Sequence, residues 1–110
     1  MTALAPTAAI ALAVHLLEEA GFPVSARNER GDSVYCRRSV DTPAIRVSNH
    51  ARTPKQRKKH PDVATSLVIR EPRTPEQVAA MVEAATRAWQ AATARERENG
   101  QDDGPAVPWK

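Results

Sequence analysis

Residues 16–27 read Leu16-Leu17-Glu18-Glu19-Ala20-Gly21-Phe22-Pro23-Val24-Ser25-Ala26-Arg27, and the hydrophobic period changes within them. Upstream, Ile10, Ala13, Val14 and Leu17 fall at i, i+3, i+4 and i+7, with Leu16 and Ala20 widening the stripe. That spacing predicts an amphipathic helix over Thr7–Ala20, with Thr7 as its cap. Gly21 supplies the left-handed residue that ends a helix, Phe22 can fold back on the last turn, and Pro23 blocks continuation. Downstream, the apolar residues recur every second position.

Val24 and Ala26 open a short strand, and Asn28 to Gly31 supply turn residues. In Ser33–Arg38, Val34 and Cys36 alternate with Tyr35 and Arg37. Asp41, Thr42 and Pro43 make the next turn. In Ala44–Asn49, Ile45 and Val47 share one face and Arg46 and Ser48 the other. Thr65–Arg70 sets Leu67 and Ile69 against Val68 and Arg70. Short turns between the first three strands favour an antiparallel meander. The polar stretch from His50 to Val63, with Pro54 and Pro61, reads as an exposed loop.

The second helix has a complete start signal. Thr74 is the cap, Pro75 the first helical residue, Glu76 an acid in the positive first turn, and Gln77 the partner in a capping box. Val78, Met81, Val82, Ala85 and Trp89 then share a face, and the many alanines give high helix propensity. This helix is expected over Thr74–Arg95, fraying near Arg97. The fold class is therefore α+β: a helix, an antiparallel three- or four-stranded sheet and a helix, with both helices on one sheet face. One domain is expected over residues 1–99, and a disordered tail over 100–110. Val14, Leu17, Val34, Ile45, Val47, Leu67, Ile69, Val82 and Trp89 are the expected core.

A length of 110 residues fits one small domain and leaves no room for a second. Phe22, Tyr35, Trp89 and Trp109 are the only aromatic residues, so the core must be mainly aliphatic. A single cysteine, Cys36, excludes an internal disulfide framework and fits a reducing compartment. The apolar start does not read as a secretion signal, because no Lys or Arg precedes Arg27. Nor does an apolar run reach the roughly 18 residues of a membrane span. A cytoplasmic location is expected, bacterial or, for a phage-encoded protein, in the host.

The net charge of +3 is unevenly placed. Between Arg27 and His60 stand ten basic residues against Glu29, Asp32 and Asp41, a balance of +7, and the rest of the chain carries −4. A segment of this kind suits a partner bearing phosphates or carboxylates, although a solvated loop has the same composition. Tyr35, Arg37, Arg46 and Ser48 would project from one face of two adjacent strands, where a ring between guanidinium groups can stack a base and hold its phosphates. The bland alternative is a cross-strand pair that covers the sheet. Arg52, Lys55, Arg57, Lys58 and Lys59 concentrate further charge in the loop and suit nonspecific phosphate contact.

Cys36, His50, His60 and Asp62 are metal-ligand types, but their spacing matches no metal site, and no metal or other cofactor is expected. Catalysis by Cys36 with His50 would need an exposed thiolate, whereas Cys36 belongs to the predicted buried face. His15 reads as a helix-surface residue. No Gly-rich phosphate loop, paired catalytic carboxylates or serine elbow occurs.

The stretch from Leu16 to His50 resembles the front half of the small HicA-type toxins, in which a helix ending in an Ala-Gly-Phe or Ala-Gly-Trp step leads into a Gly-Ser-His strand and then a basic strand. The resemblance covers about a third of the chain. It implies a double-stranded-RNA-binding-like fold of helix, three strands and helix, with RNA cleavage by the histidine. Here Gly31, Asp32, Ser33, Val34 and Tyr35 fill that region without a histidine, so the resemblance implies a degenerate RNase. Double-stranded-RNA-binding domains also place a Lys-rich cluster where this chain has Thr74, Pro75, Glu76 and Gln77.

The pattern Ser33 to Tyr35 followed by Ile45 to His50 is also similar to short phage and prophage proteins, some of which block host defence enzymes. Arg outnumbers Lys 12 to 4, which suits a GC-rich genome. The reading these features favour is a non-enzymatic basic module contacting nucleic acid through the sheet face and the loop. The alternatives are a phage-type inhibitor docking on an acidic surface of a host protein, and the degenerate RNase.

Overall fold

The computed structural model describes residues 2–28, 33–50 and 62–103, with side chains through residue 95. Its elements are α1 (Pro6–Glu19), β1 (Val24–Arg27), β2 (Ser33–Cys36), β3 (Ala44–Ser48), β4 (Val63–Val68) and α2 (Pro75–Asp103). The strands form one sheet in the order β1-β2-β3-β4. Both helices pack on the same side of it and on each other, so the α+β arrangement read from the sequence holds.

The end of α1 and the start of α2 come from local hydrogen bonds. Phe22 N–H donates to the Leu17 carbonyl at 2.8 Å and Gly21 N–H to that of Glu18 at 3.1 Å, the paired bonds of a Schellman cap. Gly21 has φ 96°, a region that costs any residue with a Cβ roughly 1–2 kcal/mol. At the start of α2, Thr74 N–H donates to Gln77 Oε1 at 2.9 Å and Gln77 N–H to Thr74 Oγ1 at 3.2 Å, closing the expected capping box. Thr74→Ala is expected to lower stability by about 1 kcal/mol, read as a drop in the urea midpoint at unchanged m-value. Thr74→Ser should restore it.

Three boundaries differ from the sequence reading. Helix α1 starts at Pro6 with Ala5 as its N-cap and no side-chain capping bond, so Thr7 is not the cap. Proline's fixed φ, preset for the first helical position, decides this start. Strand β4 begins and ends two residues before the expected Thr65–Arg70, because Ala44 N–H already reaches the Asp62 carbonyl at 2.8 Å. Helix α2 runs through Asn99 and Gly100 to Asp103, past Arg97 and into the stretch expected to be a tail. Residues 104–110 lie outside the described part.

Strands β1 and β2 pair antiparallel, as do β2 and β3. Strand β4, however, runs parallel to β3, so the sheet is mixed where an antiparallel one was expected. The connection over residues 49–62 is long enough for the crossover a parallel pair requires, about a dozen residues. Residues 51–61, which include most of the expected exposed loop, are not described.

The core lies between the helices and the inner sheet face. Every residue expected in it is buried, joined by Ala9, Ala13, Phe22, Cys36, Val78 and Ala85. Trp89 closes one end, edge-on to Phe22 at 4.9 Å between centroids. Its indole N–H donates to the Pro43 carbonyl at 2.7 Å, tying α2 to the turn before β3. Arg38 lies over both rings, 5.4 Å from Phe22 and 5.8 Å from Trp89.

Candidate functional site

The register of the sheet places the residues singled out in the sequence. Tyr35 on β2 stands opposite Arg46 on β3, which stands opposite Ser66 on β4; one step along, Ser33, Ser48 and Val68 form the next row. Because Val34, Cys36, Ile45, Val47 and Leu67 enter the core, strand alternation turns these two rows to the outer face. Tyr35 and Arg46 are thus brought together as expected. Tyr35 is half-buried.

Arg46 does not stand in the open. It is 1% exposed, and Ser33 and Ser48 beside it are equally buried, so a ligand on the sheet surface cannot reach its guanidinium directly. Instead it belongs to a buried polar row. Arg46 Nη2 donates to Ser33 Oγ at 3.5 Å, Ser33 Oγ lies 2.9 Å from Ser48 Oγ, and Ser48 Oγ lies 3.2 Å from His50 Nδ1. His50 Nδ1 in turn lies 2.8 Å from Asn49 Oδ1. A burial of this kind requires hydrogen-bonding partners, and Ser33 on the adjacent strand supplies one to Arg46 Nη2.

Arg37, just past the end of β2, is also engaged. Its guanidinium donates to the Thr42 carbonyl at 3.1 Å and forms an ion pair with Asp62. It therefore ties the β2–β3 turn to the start of β4, and its charge is partly offset there. Arg52, Lys55, Arg57, Lys58 and Lys59 fall outside the described residues. The structure brings together Tyr35 and Arg46 and sets Arg37 at the rim.

The sheet separates the two groups weighed for nucleophilic catalysis. Cys36 packs on the helix side, whereas His50 bonds the outer-face Ser48. Burial pushes the Cys36 thiol up to about 11, Glu18 adding to the rise and Arg27 opposing it. The thiolate is thereby suppressed at neutral pH. Ser48 is fully enclosed, so its hydroxyl is closed to substrate. Among the described residues no group of three His, Cys, Asp or Glu is placed to hold a metal. His15 lies on the surface of α1, 3.5 Å from Glu19. No helix among the described residues is long and apolar enough to cross a membrane.

No protein-family model, curated protein or solved structure matches the chain.

Ser33, Asp62 and Thr42 are residues of this region to which the sequence gave other roles, Asp62 as a metal-ligand type and Thr42 as a turn residue. Ser33 and Ser48 had a signal: small hydroxyl residues at outer-face positions flanking Arg46, where a larger residue would be expected on a solvated strand. Asp62 had none, because its partner Arg37 is 25 positions away.

Proposed function

We propose that this protein is a non-enzymatic polyanion-binding module whose partner is a nucleic acid, contacted through the Tyr35 face and the basic segment that follows β3. The observation that carries the reading is the balance of +7 between Arg27 and His60 in a chain whose remainder is −4. That asymmetry concentrates positive charge in one stretch of the chain. Tyr35 offers a half-exposed ring for base stacking. Arg37 stands at the rim of the same region, and the buried Arg46 beneath contributes to the field without touching the ligand. The suppressed Cys36 thiol and the enclosed Ser48 support binding rather than catalysis.

The test is affinity for single-stranded and duplex nucleic acid across a salt series starting near 50 mM. If Lys55, Arg57, Lys58 and Lys59 each neutralise a phosphate, replacing all four by alanine reduces the slope of log affinity against log salt by up to about 3.6 on duplex DNA. Tyr35→Ala is expected to cost about 1–3 kcal/mol on single strands, with the slope almost unchanged. A wild-type protein with no affinity for any DNA or RNA near 50 mM salt rejects this reading. Docking on an acidic protein surface, the phage-type inhibitor, would then take its place. Cleavage of RNA by the wild type would instead favour the degenerate RNase.

A further inference from the structure

Arg37 and Asp62 meet because the sheet is mixed. Strand β2 ends at Cys36, paired with Ile45, and β4 enters the sheet at Val63, opposite Ala44. Arg37 and Asp62 therefore flank Ala44 from the two sides of β3. Arg37 N–H still donates to the Pro23 carbonyl at 3.1 Å, so the alternation runs one residue past β2. Since Cys36 and Ile45 enter the core, Arg37 and Ala44 belong to the outer face that carries Tyr35 and Arg46. Ala44 is fully buried yet lies outside the core, and so small a side chain lets the Arg37 guanidinium reach across β3 to the Asp62 carboxylate.

The two members of the pair are not equally open. The Arg37 side chain is 22% exposed and that of Asp62 47%, so a phosphate approaching the guanidinium meets the carboxylate first. Thr42 holds another arm of the guanidinium through its carbonyl at 3.1 Å. Asp41 lines a pocket of about 190 Å³ together with Arg37, Thr42 and Asp62. Among the described residues, the ionisable groups of this pocket are thus one cation and two carboxylates. The rim at the β2–β3 turn is acidic, although it lies beside a stretch of chain whose balance is +7.

With a nucleic acid as partner, the reading on which this step rests, we propose that Asp62 limits the affinity of the site: its carboxylate keeps Arg37 from the partner's phosphates and ends the binding surface at the β2–β3 turn. The Arg37 guanidinium is a donor fork that fits phosphate as well as carboxylate. It stands on the Tyr35 face, so it adds a phosphate contact once it is released. A half-exposed ion pair is a weak hold. Opening it does not clear the way, however, because the carboxylate stays beside the guanidinium and repels phosphate. Only loss of the Asp62 charge does so. The wild type therefore binds through fewer contacts than its basic residues allow, and it releases the partner at lower salt.

The experiment is the affinity for single-stranded and duplex DNA across a salt series, measured for the wild type, Asp62→Asn, Arg37→Gln and the double variant. Asp62→Asn is expected to bind more tightly and to steepen the fall of log affinity with log salt. One added phosphate contact is worth up to about 0.9 in that slope on duplex DNA and about 0.7 on single strands. Arg37→Gln should abolish the gain on the Asp62→Asn background and cost much less on the wild type. Such dependence of one substitution on the other is the mark of a coupled pair. Asp41→Asn makes the same change of charge in the same pocket, where Asp41 accepts from the Ser39 hydroxyl at 3.0 Å and, among the described residues, forms no ion pair. It should steepen the slope less.

Asp62→Ala removes the charge in a second way and should act as Asp62→Asn does, with far-UV circular dichroism showing that each variant is folded. An unchanged slope in both Asp62 variants overturns the proposal. So does a gain that survives Arg37→Gln, or one that Asp41→Asn reproduces in full. These results leave the wild-type binding, and the nucleic-acid reading with it, in place. A wild type that binds no DNA or RNA at about 50 mM salt removes the site itself, and with it both that reading and the role of Asp62.

Discussion

Replacing Trp89 with alanine is expected to lower stability by about 3–5 kcal/mol, a large part of the roughly 5–15 kcal/mol that holds a typical domain folded. Three contacts end at this side chain. It is buried, packs edge-on against Phe22, lies beneath the Arg38 guanidinium and donates its indole N–H to the Pro43 carbonyl. With Phe22 it supplies the large aromatic volume of an otherwise aliphatic core, so truncation leaves a cavity that valines and alanines cannot collapse into. Trp89→Phe separates the terms: it keeps most of the packing and leaves the Pro43 carbonyl without its donor, for an expected cost of about 1–3 kcal/mol. Urea unfolding followed by far-UV circular dichroism distinguishes these outcomes. Equal midpoints for wild type and Trp89→Ala would mean that the end of the core is held by something other than this indole.

What was legible in the sequence follows the range of the interactions. The Gly21-Phe22-Pro23 stop and the Thr74-Pro75-Glu76-Gln77 start depend on hydrogen bonds spanning five residues or fewer. Residue type alone therefore specifies them. Strand alternation was legible for the same reason, and it placed Val34, Ile45 and Val47 in the core and Tyr35 beside Arg46.

The direction of β4 was not legible from its own residues, because a period of two looks the same in either orientation. Its only trace was the length of the connection from Ser48 to Val63, which suits a crossover better than a hairpin. Alternation also assigns a residue to a face without saying whether that face is open. Arg46 therefore read as a ligand-facing charge, and only tertiary packing places it among Ser33, Ser48 and His50. The Arg37–Asp62 pair was out of reach for a related reason: it forms only because β4 returns parallel to β3 and brings Asp62 beside the end of β2.

Cys36 gives the molecule a pH dependence of its own. Its thiol is enclosed between the sheet and α1 and titrates at about 11, against 9.0 for an ordinary cysteine. Below pH 9 both the folded and the unfolded chain carry the thiol, so this residue adds no pH dependence there. Between pH 9 and 11 the unfolded chain releases the proton while the folded one retains it, and stability falls as the pH rises. A shift of one pKa unit corresponds to about 1.4 kcal/mol, so the loss is about 2 kcal/mol at pH 11 and levels off near about 3 kcal/mol above it. Other groups titrate in the same range, which makes the Cys36→Ala variant the necessary reference. At pH 7 that variant should lie about 1 kcal/mol below wild type, the cost of a small cavity. As the pH rises the gap should close and then reverse sign near pH 10, because alanine has no proton to lose. The measurement is the difference in unfolding free energy between the two proteins from pH 7 to 11, with thiol labelling of native wild type at pH 8 as a companion. Slow labelling together with a crossing of the two curves is expected. Parallel curves and rapid labelling would place the thiol at the surface, and with it would fall the separation of Cys36 from the outer face on which the non-catalytic reading depends.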